Sequence, residues 1–106
     1  MANTFKNYFA KDVGTSASTV LTASTSTTVI GMTVANTSAA AITVDVYITS
    51  STVKYYLVKN AVVPIGGSLV PIGGNQKVVL ETGDAIKVLS NTATSADAIL
   101  AVLEIT

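Results

Sequence analysis

From Ile42 to Thr49 the chain alternates without a break. Ile42, Val44, Val46 and Ile48 are apolar, and Thr43, Asp45, Tyr47 and Thr49 stand between them. A period of two belongs to a pleated strand, whose successive side chains point to opposite faces, so one set lines a core and the other faces away from it. A helix needs a period near 3.6, and no stretch of useful length has one. Further runs rich in Val, Ile, Thr and Tyr follow at roughly ten-residue spacing, separated by Gly-Gly, Pro and Gly-Asp punctuation. The pattern predicts an all-β chain: an antiparallel β-sandwich, jelly-roll-like, of about eight strands, with a compact barrel as the alternative.

Taken in order, the runs predict an edge strand over Ser18 to Ala23 and a polar turn at Ser24 to Thr27. A strand over Thr28 to Asn36 follows, with Ile30, Met32 and Val34 on one face and Val29, Gly31, Thr33 and Ala35 on the other. Asn36-Thr37-Ser38 is a turn cluster whose spacing would accept a glycan only in a secreted eukaryotic setting, of which the chain gives no sign. Ala41 to Ser50 and Ser51 to Lys59 form a hairpin, with Val53, Tyr55 and Leu57 opposed to Lys54, Tyr56 and Val58. Pro64-Ile-Gly-Gly recurs seven residues later as Pro71-Ile-Gly-Gly; each Pro marks an edge or a strand end, and each Gly pair a reversal. Ser68 to Val70 is a short strand between them. Gln76 to Leu80 and Ala85 to Ser90 read as a second hairpin, through a turn in which Gly83 takes a positive φ. In the last strand, Ala96 to Ile105, both faces are apolar: Ile99, Ala101, Leu103 and Ile105 on one, Ala98, Leu100 and Val102 on the other. Such a strand is expected to be covered on both faces, by its own domain or by another chain.

Residues 1–17 read as an N-terminal arm apart from a sandwich domain of residues 18–106. Phe5, Tyr8 and Phe9 make up half of all the aromatic residues. Phe5 and Phe9 fall on one side of either a helical turn or an extended segment. They cap the open end of the sandwich or lie across a neighbouring subunit. On the second reading, removal of residues 1–12 weakens oligomer contacts and leaves the sandwich folded.

The 106 residues suit one domain. Only 11% of them are charged, against about 25% in an ordinary soluble domain. Thr, Ser and Asn supply polarity instead, and hydroxyls are cheaper than charges to bury under another protein. The net charge is zero and all six basic residues are Lys, so nothing steers nucleic acid or an anionic membrane toward the chain. There is no Cys for a disulfide or thiolate site and no His for general base work or metal binding. No apolar run approaches the 18 residues of a membrane helix, and MANTFKNYFAKD lacks a signal-peptide core, so synthesis in the cytoplasm is expected.

Glu81 and Asp84 bracket Gly83, where acidic residues serve a turn; two donors fall well short of a Ca²⁺ site. The Gly pairs open no helix and lack a phosphate-loop ending. Ser and Thr abound with no base to activate them. Tyr47 and Tyr56 share the outer side of their hairpin, as a stacking platform for a sugar or as cross-strand packing. No catalytic residue, cofactor or metal is expected.

The chain resembles the small virion structural proteins of tailed bacteriophages, especially marine and cyanobacterial ones. The likeness runs through Thr4-Phe-Lys-Asn-Tyr, Val34-Ala-Asn-Thr-Ser, Val44-Asp-Val-Tyr, Tyr56-Leu-Val-Lys-Asn and Pro64-Ile-Gly-Gly. It continues in Gly74-Asn-Gln-Lys-Val-Val-Leu-Glu-Thr-Gly-Asp-Ala-Ile-Lys-Val and Ser95-Ala-Asp-Ala-Ile-Leu-Ala-Val-Leu-Glu-Ile. It implies a non-enzymatic virion part, made in the host cytoplasm. The foremost expectation is a capsid decoration or cement protein; the alternatives are a neck, tail or baseplate component, or a receptor- or glycan-binding tip. Its expected partners are further copies of itself, in a trimer or another closed ring, and other virion proteins such as the major capsid protein, with no nucleic acid and no membrane. The candidate interaction residues are Phe5, Tyr8, Phe9, Tyr47 and Tyr56.

Overall fold

The computed structural model describes residues 2–73 and 75–105. Nine strands run through them: β1 (Asn3–Val13), β2 (Ser18–Thr22), β3 (Ser26–Asn36), β4 (Ile42–Ser50), β5 (Val53–Val63), β6 (Ser68–Ile72), β7 (Val78–Leu80), β8 (Ala85–Ser90) and β9 (Ala96–Ile105). One sheet has the order β1-β9-β3-β6, with β7 also pairing β3; the other has the order β2-β8-β4-β5. Every ladder is antiparallel. Apart from the short β7, this alternation of strands between two four-stranded sheets is jelly-roll topology. The all-β sandwich expected from the alternating pattern is the fold that forms.

The core lies between the sheets. From the larger sheet come Val29, Met32, Val34, Ile72, Leu80, Ala98, Leu100 and Val102; from the smaller come Val20, Ile42, Val44, Val46, Ile86 and Val88. Each fully buried Leu or Ile contributes about 2 kcal/mol through the area it removes from water.

Four expectations need correction. Residues 3–13 are no separate arm. They form the outer strand of the larger sheet, in register with β9 from Asn3↔Ile105 to Ala10↔Ala98, and Val13 is fully buried in the core. Deleting residues 1–12 therefore strips one side of β9 rather than freeing an appendage.

In β3 the register with β9 shifts between Val29 and Gly31. A bulge adds a residue and flips the facing side, so Thr27 and Val29 point inward, Ile30 points out, and Met32, Val34 and Asn36 resume the core side. In β5 a similar shift places Val58 against inward-facing Val46 while Tyr56 pairs with Tyr47, so Val58 and Tyr56 do not share a face.

The predicted hairpin of β7 and β8 does not form, because its two arms belong to different sheets. Their turn is a corner instead. The N–H of Ala23 donates to Asp84 and the N–H of Gly83 donates to Ala23, which ties the corner to the β2–β3 connection. Gly83 takes φ 95° there, as its turn requires. The Pro64 turn closes as expected, with the N–H of Gly67 donating to Pro64 at 3.0 Å and Gly66 at φ 71°. Pro71 stands in β6, an edge strand. The companion reversal at Gly73-Gly74 falls partly outside the described residues, at Gly74.

Candidate functional site

Among the described residues, the fold lays no further layer on the outer face of the larger sheet. Strand alternation puts Ala96, Ala98, Leu100, Val102 and Glu104 of β9 inward and buried, so Ile99, Ala101, Leu103 and Ile105 point outward. β1 adds Asn3, Phe5, Asn7 and Phe9 to that outward side, since Phe5 pairs with Leu103, Asn7 with Ala101 and Phe9 with Ile99. On the other flank β3 sets Thr28 opposite Leu103, Gly31 opposite Ala101 and Thr33 opposite Ile99. Phe5 is 75% exposed, Phe9 63% and Ile99 49%.

The relief of this face follows from residue size. The row Asn7–Ala101–Gly31 is low, and the rows carrying Phe5 and Phe9 stand on either side of it. A shallow depression of about 550 Å³ lies there, lined by Phe5, Lys6, Asn7, Ile30, Ala101 and Val102. A Cβ at Gly31 would meet only ordinary contact, 3.6 Å from the Ile72 carbonyl oxygen, so the low floor is not forced by packing beneath it. Among the described residues no charged side chain stands on these rows. Lys6 borders the depression from the β1 edge with its ammonium 3.6 Å from Glu104, and the Lys11 Nζ to Asp97 Oδ2 pair at 3.0 Å closes one end.

β1 is fastened at two points. Tyr8 faces inward and donates its hydroxyl to Glu104, which is buried and has Lys6 Nζ 3.6 Å away. That hydrogen bond, with burial added, holds the Tyr8 phenol above its ordinary pKa. At the other end Asp97 accepts the Asp12 N–H at 3.1 Å and the Lys11 ammonium at 3.0 Å. In that order they hold its carboxyl below the usual range. Tyr8 is thus a fastening for β1, separated from Phe5 and Phe9 by the thickness of the strand.

Tyr47 and Tyr56 of the smaller sheet do meet on its outer side, with ring centroids 5.2 Å apart and planes at 51°. Lys54 lies 5.1 Å over the Tyr47 ring and Lys59 4.7 Å over the Tyr56 ring. Tyr47 is only 2% exposed, so the pair offers a ligand one partly open ring, not a platform. Beside it, Asp45 accepts the Asn60 N–H at 2.7 Å and has Lys59 at 3.6 Å, fixing the irregular turn of β5 where Asn60 takes φ 55°.

Asn36 is buried and fully used. Its amide nitrogen donates to the carbonyls of Ala40, Val63 and Pro64 at 2.8, 3.0 and 3.2 Å, and its oxygen accepts from Ser38. The nitrogen that a glycan would need is thus locked inside the fold. Glu81 and Asp84 make a turn, with the Glu81 N–H donating to Asp84 Oδ2 at 3.0 Å.

Comparison with protein-family models, with curated proteins and with solved structures found no match. Ile30, Ile99, Leu103 and Ile105 are apolar residues of the face that the candidate set lacked. The two-faced apolar pattern of β9 contained the signal for Ile99, Leu103 and Ile105; that for Ile30 was hidden by the bulge.

Proposed function

We propose that this chain is a structural protein of a tailed-phage virion, foremost a decoration or cement protein that binds the capsid shell. The observation that carries the reading is the uncharged apolar outer face of the larger sheet, led by Phe5, Phe9 and Ile99. Three strands about 4.8 Å apart, over seven residues of about 3.4 Å each, cover roughly 300–400 Å². The largest apolar patch on a typical monomer reaches about 300–600 Å² and is often functional.

The rest of the chain agrees with a part that works by being covered. Its surface polarity comes largely from hydroxyls and amides, which an interface buries at lower cost than charges. Jelly rolls occur in capsid domains and also in lectins, so the fold leaves the choice to the surface. The surface favours protein over sugar, because Tyr47 is buried and Lys59 lies over Tyr56. The partners on this reading are further copies of the chain and shell proteins such as the major capsid protein. Many modest contacts then sum through multivalency.

Copy number per particle tests it. Decoration predicts on the order of hundreds of copies by quantitative gel densitometry of purified virions, because closed shells repeat a site many times. About six to a few dozen copies would place the chain in a neck, tail or baseplate ring instead. Its absence from virions overturns the reading.

A further inference from the structure

The edges of the two sheets differ in how well they are guarded. An edge strand offers unpaired backbone groups to any other extended chain, and folds blunt it with Pro, bulges, short strands or lysines. β6 carries Pro71, which has no N–H, and its register with β3 is broken between Met32 and Val34. β7 has three residues, and β2 has five with a shift between Thr19 and Leu21. β5 is long, but two irregularities and the positive φ of Asn60 interrupt it. β1 alone runs straight, from Asn3 to Ala10 without a register break, and has no ladder partner on its other side among the described residues. Its one lysine within that span, Lys6, is drawn toward Glu104.

We propose that β1 is a self-association strand: two copies of the chain pair their β1 strands antiparallel, edge to edge, about a two-fold axis through Asn7. The run Phe5-Lys-Asn-Tyr-Phe9 is close to a palindrome, and an antiparallel pair reads such a run against itself. With Asn7 opposite Asn7 of the second copy, Phe5 faces Phe9 and Phe9 faces Phe5 on the outer side. On the inner side Lys6 faces Tyr8. Cross-strand aromatic pairs stabilise a ladder, and a lysine beside a tyrosine ring is favourable. No like charges meet. Centring the axis on Lys6 would set Lys6 against Lys6, which is destabilising. Centring it on Tyr8 would set Phe5 against Lys11, beyond the point where β1 loses register with β9. The pairing deepens the proposed virion role, and its purpose rests on that role: it joins two uncharged faces into one surface twice as wide, with a closed two-fold contact.

The chain has no cysteine, so introduced ones report this contact alone. In the full-length protein, Asn7→Cys is expected to give a covalent dimer under mild oxidation, since directly opposed Cα atoms in an antiparallel pair lie about 4.5–5.5 Å apart, within the span of a disulfide. Phe5→Cys and Phe9→Cys are each expected to stay uncross-linked alone and to cross-link when mixed. Asn7→Lys puts like charges on the axis and is expected to weaken dimerisation by at least about tenfold in sedimentation equilibrium. A wild-type chain that remains monomeric at high micromolar concentration overturns the pairing. So does a dimer that Asn7→Cys fails to cross-link and Asn7→Lys leaves unchanged. The two readings fail separately. A monomer that still joins virions overturns the pairing and leaves the virion role standing, whereas a β1-paired dimer absent from virions supports the pairing and overturns the role.

Discussion

Phe9 and Ile99 stand directly opposite each other on β1 and β9, and both turn away from the core. Their neighbours along β9, Ala98 and Leu100, are buried between the sheets. One strand therefore has one apolar face that the fold covers and another that it does not. A second molecule laid on this sheet would cover the other.

Replacing the outward pair should separate stability from assembly. A cross-strand apolar pair contributes about 0.2–1 kcal/mol, so Phe9→Ser with Ile99→Ser is expected to lower the thermal midpoint by only a few degrees. The same double variant should lose most of its incorporation into particles, measured by competition with wild-type chain during assembly.

Asn36 gives the opposite case, a small polar residue whose loss unfolds more than it disconnects. Its amide serves three carbonyl oxygens, of which that of Val63 is buried. Asn36→Ala is expected to cost about 2–4 kcal/mol, from the Val63 carbonyl left buried without this donor and from the lost ties to Ala40 and Pro64. For a chain of this size that is a fall of roughly 10–25 °C in thermal denaturation. Asn36→Asp should be worse, because it points a carboxylate at those same oxygens.

These two sites also show what the amino-acid pattern discloses. The alternation of β4 and β9 fixes strand type and facing, because period two leaves no freedom on a regular strand. Where a strand is irregular the rule lapses. The β3 bulge hides Ile30, and the β5 irregularities part Val58 from Tyr56, since an extra residue is invisible until the partner strand is known. The aromatic crowding at Phe5, Tyr8 and Phe9 is plain in the chain, but their separation onto two faces depends on β1 being a strand of the sheet. The β7–β8 corner misleads for another reason: a Gly turn between apolar runs looks the same whether it joins neighbours in one sheet or crosses between two.

Truncation tests the place of β1. Deleting residues 1–12 removes the ladder along one side of β9 and the Tyr8 hydroxyl that Glu104 accepts. The truncated chain is expected to melt well below the full chain. An unchanged melting curve would mean that β1 is dispensable to the fold.

The two fastenings of β1 should respond to opposite extremes of pH. The Asp97 carboxyl is held below its ordinary value of about 4. Its contribution is present above that value and is lost as pH falls through the lower, folded pKa. Acid should therefore loosen the Lys11–Val13 end first, seen as faster amide exchange there, and Asp97→Asn should remove the dependence. The Tyr8 phenol is held above its ordinary value of about 10. Its contribution is full below that value and is lost as pH rises through the folded pKa. Tyr8→Phe should delete a high-pH component from the tyrosinate absorbance titration and leave the acid response intact.

The most direct test is hydroxyl-radical footprinting of Phe5, Phe9 and Ile99 in the free chain and in intact virions. All three are expected to react readily in the free chain and to be strongly protected in the particle, while Tyr55 on the smaller sheet changes less. Equal reactivity of the three residues in both states would contradict the proposed coverage of this face.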